Sequence, residues 1–229
     1  MQSSGPAYPS ATDDDREATP EFLPTASFSI EAGRRDIGIC FLGDSFTAGY
    51  GDPKALGWVG RVVSRTVHPD LDITAYNLGI RGQDSGDVAA RWRAECMPRW
   101  QGRPERRIVL SAGLNDLAHG LTTARSRLNH ANVLDDAIAK GIAAFVVGPC
   151  PSLDDELNSR IEALSVAQAD VCARRGVPFV DCYHALLGHD QWRSELAAGD
   201  GAHPGQAGYG LIAWLVLHGG WDTWLGVAQ

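Results

Sequence analysis

Short apolar runs alternate along this chain with longer segments in which apolar residues recur at helical spacing. An apolar run bounded by glycine, proline or other turn-forming residues is typical of a strand that is buried on both faces. Five such runs predict strands at residues 37–43, 71–78, 107–112, 142–147 and 177–180. The helical patterns predict helices near residues 58–67, 84–98, 122–140 and 206–218, and another from residue 152.

The helix predicted from residue 152 has the clearest start signal. Ser152-x-x-Asp155 matches a capping box, and an apolar stripe follows it. Strands that alternate with helices favour right-handed βαβ crossovers, which place the strands in one parallel sheet. The pattern therefore predicts an α/β fold with a central, mainly parallel five-stranded sheet and helices on both faces.

Residues 1–35 do not share this periodicity. They are rich in Ser, Pro, Thr, Asp and Ala, and they include an acidic cluster at residues 13–15. Because such a composition is typical of segments without a packed core, we predict a disordered or loosely docked arm at residues 1–35. Residues 36–229 are long enough to bury a sizeable core and are predicted to form a single domain.

Charge and cysteine content narrow the classes of partner and compartment. The formal net charge is −8, so neither nucleic acid nor anionic lipid is an expected partner. Five cysteines without a Cys-x-x-Cys pair favour buried free thiols over a disulfide framework. No signal peptide or membrane-spanning stretch stands out, so a cytoplasmic location is expected, although a chain whose leader had been removed would look the same. The oligomeric state is not indicated.

The first predicted strand stops abruptly at Gly43 and is followed by Asp44, Ser45 and Thr47. Ligands of open α/β sheets collect beyond the carboxyl ends of the strands, so Ser45 is placed where a nucleophile could act. Taken alone, the Gly-Asp-Ser tripeptide favours an ordinary turn over a nucleophile, because such tripeptides are common in turns. Other parts of the chain must decide between these two interpretations.

Four separated segments favour the interpretation of Ser45 as a nucleophile, because they occur in a characteristic order. They are residues 43–47 (Gly-Asp-Ser-Phe-Thr), 77–85, 113–116 (Gly-Leu-Asn-Asp) and 200–204 (Asp-Gly-Ala-His-Pro). Together they resemble the four signature blocks of the SGNH, or GDSL, hydrolases, a family of esterases, lipases, thioesterases and carbohydrate deacetylases. The resemblance spans most of the predicted domain and implies a three-layer α/β/α sandwich of the flavodoxin-like type. The chain lacks the Gly-x-Ser-x-Gly elbow of the ordinary α/β-hydrolase fold.

The resemblance implies a role for residues in each block. Ser45 corresponds to the nucleophile, His203 to the general base and Asp200 to the carboxylate that orients the base. The backbone N–H groups of Ser45 and Gly82 and the side-chain amide of Asn115 correspond to the oxyanion hole. Ester hydrolysis through an acyl-enzyme needs all of these groups.

Some of these assignments leave alternatives open. Gly79 competes with Gly82 for the close backbone approach, and His184 or His119 would be the base if His203 were not. Each proposed residue could also serve only its local turn. The sequence departs from the family at Phe46, where leucine is usual, but the position remains large and apolar.

No metal or cofactor is expected. His184 and His189 near Cys182 match no standard zinc spacing, and this hydrolase chemistry needs no metal. The expected function is hydrolysis of a carboxylic ester or thioester with a small or medium acyl group, because the loops are too short to supply a large lid. A carbohydrate O-acetyl esterase and a non-catalytic binding module are the alternatives. The presence of nucleophile, base and oxyanion donor favours an enzyme.

Overall fold

The computed structural model of the protein describes residues 33–227. Its centre is a five-stranded sheet in which every neighbouring pair of strands is parallel, in the order β2-β1-β3-β4-β5. The strands are β1 (Arg35–Gly43), β2 (Leu71–Gly79), β3 (Glu105–Ser111), β4 (Ala143–Val147) and β5 (Phe179–Val180). The predicted parallel α/β sheet is confirmed, with a fifth strand shorter than the sequence suggested.

Helices cover both faces of this sheet. They are α1 (Ser45–Ala48), α2 (Gly57–Arg65), α3 (Ser85–Arg99), α4 (Leu114–Ala118), α5 (Thr123–Ala139), α6 (Asp155–Ala173), α7 (Cys182–Leu187), α8 (Asp190–Ala198), α9 (Gln206–Val216) and α10 (Asp222–Leu225). The segment Leu217–Trp221 joins the last two helices and is kinked at its two glycines. Within residues 33–227, no helix is both long and apolar enough to cross a bilayer.

The alternation of side chains along β1 explains why the sheet carries a layer of helices on each face. Ile37, Ile39 and Phe41 pack on one face among residues of α2, α8 and α9. Cys40 and Leu42 point the other way and pack among residues of α3 and α5. Successive side chains of a strand point to opposite faces, so a continuous apolar run is what a sheet covered on both sides requires.

The strand order places a crevice beside the end of β1. From β1 the chain moves outward to β2, and from β2 it crosses back to β3 on the other side of β1. In a doubly wound sheet of the order 2-1-3-4-5, ligands bind at the carboxyl end where the connections diverge. The loops after β1, β2 and β3 all reach this edge, since Gly43 is in register with both Gly79 and Ser111.

The structure corrects two details of the segment between β4 and α9. Asp154, not Ser152, is the N-cap of α6: its side chain accepts from the Leu157 N–H, and the helix begins at Asp155. The predicted capping box was therefore wrong. Helices α7 and α8 were not predicted at all.

The described residues from Arg34 onwards belong to one compact unit. The predicted arm at residues 1–35 lies almost entirely outside the described residues, so the division into arm and domain stays a prediction.

Candidate active site

The turn after β1 is tight because Gly43 has no side chain. A Cβ at this position would lie 2.0 Å from the carbonyl oxygen of Ser111 and 2.2 Å from Oγ1 of Thr47. Asp44 then caps the one-turn helix α1 by accepting from the Phe46 N–H at 2.9 Å. These contacts place Ser45 at the first position of α1, beyond the carboxyl end of the central strand.

Three side chains form a continuous hydrogen-bonded chain at this turn. The Oγ of Ser45 lies 2.7 Å from Nε2 of His203, and Nδ1 of the same ring lies 2.8 Å from Oδ2 of Asp200. The other carboxylate oxygen of Asp200 accepts from the His203 backbone N–H at 2.8 Å. These hydrogen bonds lower the pKa of Asp200 to about 2, so the carboxylate stays ionised throughout the pH range in which histidines titrate.

Two consecutive residues after β3 hold the loop after β2. The side-chain amide of Asn115 donates to the carbonyl oxygen of Gln83 at 2.8 Å. Asp116, which is fully buried, accepts from both the backbone N–H and the hydroxyl of Ser85 at 2.7 Å. The loop that contains Gly82 is therefore fixed to the segment that contains Asn115.

Glycine is favoured at the two candidate positions, 79 and 82, for different structural reasons. A Cβ on Gly79 would lie 2.3 Å from the backbone nitrogen of Ala48, so Gly79 is required for β2 to pack against α1. Gly82 has open space around it and a φ of +78°, a conformation that favours glycine. Gly79 is thus explained by packing, and the exposed backbone of the loop lies at Gly82.

An apolar pocket of about 440 Å³ opens beside Ser45 and His203. Its wall combines residues from α4, from the segment after β4 and from the first turns of α6. The apolar members are Phe46, Leu114, Leu117, Ala118, Pro151, Leu153, Leu157 and Ile161. An open, largely apolar pocket with a few convergent polar groups is the usual form of a small-molecule site.

Comparison with known families identifies this arrangement. The profile of the GDSL-like lipase/acylhydrolase family matches residues 41–211, which is more than half of the chain and includes every segment of the site. The chain belongs to this family. The resemblance seen in the sequence is therefore confirmed, and with it the membership in a family of esterases and acylhydrolases. No curated protein sequence matches the chain significantly.

Solved structures agree with this membership. The structure of TesA is 25% identical over 80% of this chain and 97% of its own, with a TM-score of 0.66. A lipase/acylhydrolase from Enterococcus faecalis is 25% identical over 80% of this chain and 94% of its own, with a TM-score of 0.63. Axe2, an acetylxylan esterase from Geobacillus stearothermophilus, shares the fold at 20% identity, with coverages of 81% and 94% and a TM-score of 0.68.

The other candidate bases of this GDSL-family chain lie in different hydrogen-bond networks. His184 follows Asp181 with the same three-residue spacing as the pair at the site, and its Nδ1 lies 2.6 Å from Oδ2 of Asp181. His119 pairs with Asp84 at 3.0 Å. Among the histidines in residues 33–227, His203 is the one that hydrogen-bonds Ser45.

The residues that the sequence offered as a weak metal-site candidate, Cys182, His184 and His189, do not form a metal site in the structure. Cys182 is buried, whereas His184 and His189 are exposed at the surface. Within residues 33–227, no group of three or more His, Cys, Asp or Glu side chains has the geometry to hold a metal ion.

Sequence reasoning missed Arg91, which lies on α3 and ties two parts of the site together. Its Nη2 donates to the carbonyl oxygen of Gly43 at 3.0 Å, and its guanidinium also donates to the side chain of Gln83. Arg91 therefore fixes the loop after β2 against the end of the strand that precedes Ser45. Its position in a predicted helix offered no signal of this role.

Asp44, next to Ser45, is the most unusual carboxyl group of the site. It is 3% exposed, and burial raises its pKa to about 7. An unfolded aspartate titrates near pH 4, so the folded chain holds the proton more tightly than the unfolded chain. Stability should therefore decline as the pH rises from about 4 to about 7 and remain lower above that range.

Replacing Asp44 with asparagine is expected to remove this decline. Asparagine keeps an acceptor for the Phe46 N–H but cannot ionise, so the free energy of unfolding should rise by up to about 4 kcal/mol relative to wild type at pH 8. At pH 4 the two proteins should be alike. Urea unfolding across this pH range measures the difference, with Asp72→Asn on β2 as a control. The same pH dependence in Asp44→Asn and wild type would contradict the assignment.

Proposed function

We propose that the protein is a serine hydrolase that cleaves a carboxylic ester or thioester of a small or medium acyl group through an acyl-enzyme. The hydrogen-bonded chain from Ser45 through His203 to Asp200 carries this proposal. A serine hydroxyl 2.7 Å from an imidazole nitrogen has a base within reach of its proton. The geometry supports this role before any substrate is bound.

In the proposed reaction, Ser45 Oγ attacks the substrate carbonyl carbon while Nε2 of His203 accepts the hydroxyl proton. The carboxylate of Asp200 holds Nδ1–H and stabilises the imidazolium that forms. Breakdown of the tetrahedral intermediate expels the alcohol or thiol, which receives the proton from His203. Water then attacks the acyl-enzyme by the same route in reverse, and the carboxylic acid leaves.

The charge that develops on the carbonyl oxygen needs donors that are already oriented. The amide of Asn115 carries two N–H groups, and one is committed to the Gln83 carbonyl at 2.8 Å. The other has only a long contact of 3.4 Å with Asp44, so it is available to the oxyanion. We assign the remaining donors to the backbone N–H groups of Ser45 and Gly82.

Replacing Asn115 with alanine is expected to lower kcat by about two to three orders of magnitude, because its amide is needed most when charge develops on oxygen. KM should change much less, since the ground-state carbonyl carries little charge. Steady-state kinetics on one ester measures both parameters. Asn132→Ala, on an exposed position of α5, is the control and should keep wild-type kinetics. Wild-type kcat in Asn115→Ala would return Asn115 to a purely structural role.

The pocket beside Ser45 suits an acyl chain longer than acetyl. Each methylene that it buries should contribute up to about 0.8 kcal/mol, so kcat/KM should rise as the acyl chain lengthens until the pocket is filled. A panel of p-nitrophenyl esters, acyl-CoAs and acetylated sugars tests this proposal. Selective turnover of acetylated sugars would instead favour the carbohydrate esterase that Axe2 exemplifies. Turnover of none of them would contradict the proposed enzyme.

A further inference from the structure

A stacked pair of exposed side chains lies beside His203, on the side away from the apolar pocket. The ring of Tyr50 meets the imidazole edge-on, with 4.9 Å between centroids and 87° between planes. The guanidinium of Arg81 lies over the Tyr50 ring, with Cζ 3.4 Å from the centroid. Tyr50 follows α1 and Arg81 precedes Gly82, so the pair bridges two of the segments that build the site.

The position of Tyr50 is fixed by contacts with the histidine segment and α9. Its carbonyl oxygen accepts from the hydroxyl of Tyr209 at 2.6 Å. The next residue, Gly51, approaches so closely that a Cβ there would lie 3.1 Å from the carbonyl oxygen of Pro204 and 3.4 Å from Cβ of His203. The aromatic platform therefore keeps its place relative to the imidazole.

Two hollows meet at His203. Phe46 packs against the imidazole on the side of the apolar pocket, with 5.2 Å between ring centroids. On the other side, an open hollow of about 520 Å³ is lined by Tyr50, Pro53 and Asp200 together with His203. The imidazole that accepts the serine proton must return it to the leaving atom, so the leaving group has to lie against His203. With the acyl chain in the apolar pocket, the leaving group is directed into the hollow lined by Tyr50, and Arg81 is stacked on the Tyr50 ring.

The charged groups near Tyr50 make Arg81 distinctive. Arg81 forms no ion pair or hydrogen bond with another side chain in the described part of the chain. The carboxylate of Glu195 is already bound by the backbone N–H groups of Ala207 and Gly208, and Asp200 is bound by His203. Among residues 33–227, Arg81 is thus an uncommitted cation, and the protein has a net charge of −8.

We propose that Arg81, stacked on Tyr50, binds a phosphate or carboxylate group on the leaving part of the ester or thioester. A guanidinium presents several N–H donors in one plane and pairs with either anion through two parallel hydrogen bonds. The aromatic ring beneath it holds the guanidinium near the place where the leaving group departs. This inference rests on the proposed esterase function and assigns its leaving-group preference.

The test compares two esters that differ in one charge, 4-(butanoyloxy)benzoate and its methyl ester. Arg81→Gln is expected to lower kcat/KM for the anionic ester by about three- to ten-fold and to change the neutral ester by less than about two-fold. Each variant is compared with wild type on the same ester, so the intrinsic reactivities of the two esters cancel. Arg81→Lys should retain part of the preference, because it keeps the charge without the planar fork.

Two further measurements separate local recognition from general effects. Arg65→Gln changes the net charge equally at an exposed position of α2 and should leave both esters unaffected. The effect of Arg81→Gln should shrink in 1 M salt, where the Debye length falls to about 3 Å. Equal losses on both esters, or no loss on the anionic ester, would overturn the Arg81 assignment while leaving the esterase intact. Failure of wild type to hydrolyse either ester would overturn the proposed function and this inference with it.

Discussion

Replacing Ser45 with alanine is expected to reduce ester turnover by about a million-fold, while the melting temperature stays close to that of wild type. The substitution deletes the atom that we propose forms the covalent bond to the acyl group. It removes little packing, because the hydroxyl borders the pocket and His203 is its one hydrogen-bond partner among residues 33–227. Turnover of a short p-nitrophenyl ester and thermal unfolding together measure both effects.

The matched control for Ser45 is Ser152, which lines the same pocket. The Ser152 hydroxyl bonds the Asp154 carbonyl and the Asn158 side chain, so Ser152→Ala should keep most of the activity. A serine-directed phosphonate should label wild type at Ser45 and leave Ser45→Ala unlabelled. Labelling at another serine, or substantial turnover by Ser45→Ala, would contradict the proposed nucleophile.

His203→Ala is expected to lower kcat by about five to six orders of magnitude, whereas His184→Ala should retain wild-type kcat. Two of the three Asp-x-x-His sequences in the chain, at residues 181–184 and 200–203, have nearly the same side-chain geometry. Only the second is hydrogen-bonded to Ser45 within the described residues. Comparing the two variants therefore shows whether an Asp-x-x-His pair is sufficient or whether the histidine must also contact Ser45.

The environment of His184 also explains why it should not replace the missing base. The hydrogen bond that His184 makes to Asp181 raises the pKa of the ring, and the ring contacts Asp181 rather than Ser45. Steady-state kinetics of both variants, with circular dichroism to verify folding, is the measurement. Comparable losses in the two variants would show that the histidines act through the fold rather than through proton transfer.

The sheet could be predicted because burial on both faces leaves a plain signal in the sequence. β1 is apolar along most of its length and ends at a glycine that its neighbours require. The fifth strand was overestimated, since Val177 precedes the two-residue β5 and only Phe179 and Val180 pair with β4. An apolar run shows that a segment is buried, but not how many of its residues have a strand partner.

Helix α7 was missed because it has only six residues, and α8 was missed because it is short and mostly polar. In α8 the buried residues are Trp192 and Leu196, which form too brief a stripe to stand out from the surrounding polar residues. Tertiary contacts stabilise such a helix: the indole N–H of Trp192 donates to the carbonyl oxygen of Pro151 at 3.0 Å. A contact between residues this far apart cannot be inferred from local periodicity.

The residues of the candidate site could be predicted because four short motifs contain them. The residues that surround them in the fold could not be predicted. The burial of Asp44 depends on contacts with segments that follow β3 and β4, and no single motif records those contacts. Tyr50 and Arg81 each look like ordinary loop residues in the sequence. Their stacking arises only because β1 and β2 are neighbours in the sheet, which brings the ends of both strands together.

Asp200 and His203 are carried by one short segment between α8 and α9, whereas Ser45 is anchored to the central strand. Residues 199–202 of this segment are exposed. Most of its hydrogen bonds form within the segment or join it to the end of α8. Segments of this kind open at a lower free energy than the sheet. Opening would remove the proposed base and its carboxylate together, leaving a folded molecule whose Ser45 has no partner to take its proton. Mild urea should therefore abolish catalysis before the sheet unfolds, and activity should return as quickly as the segment closes.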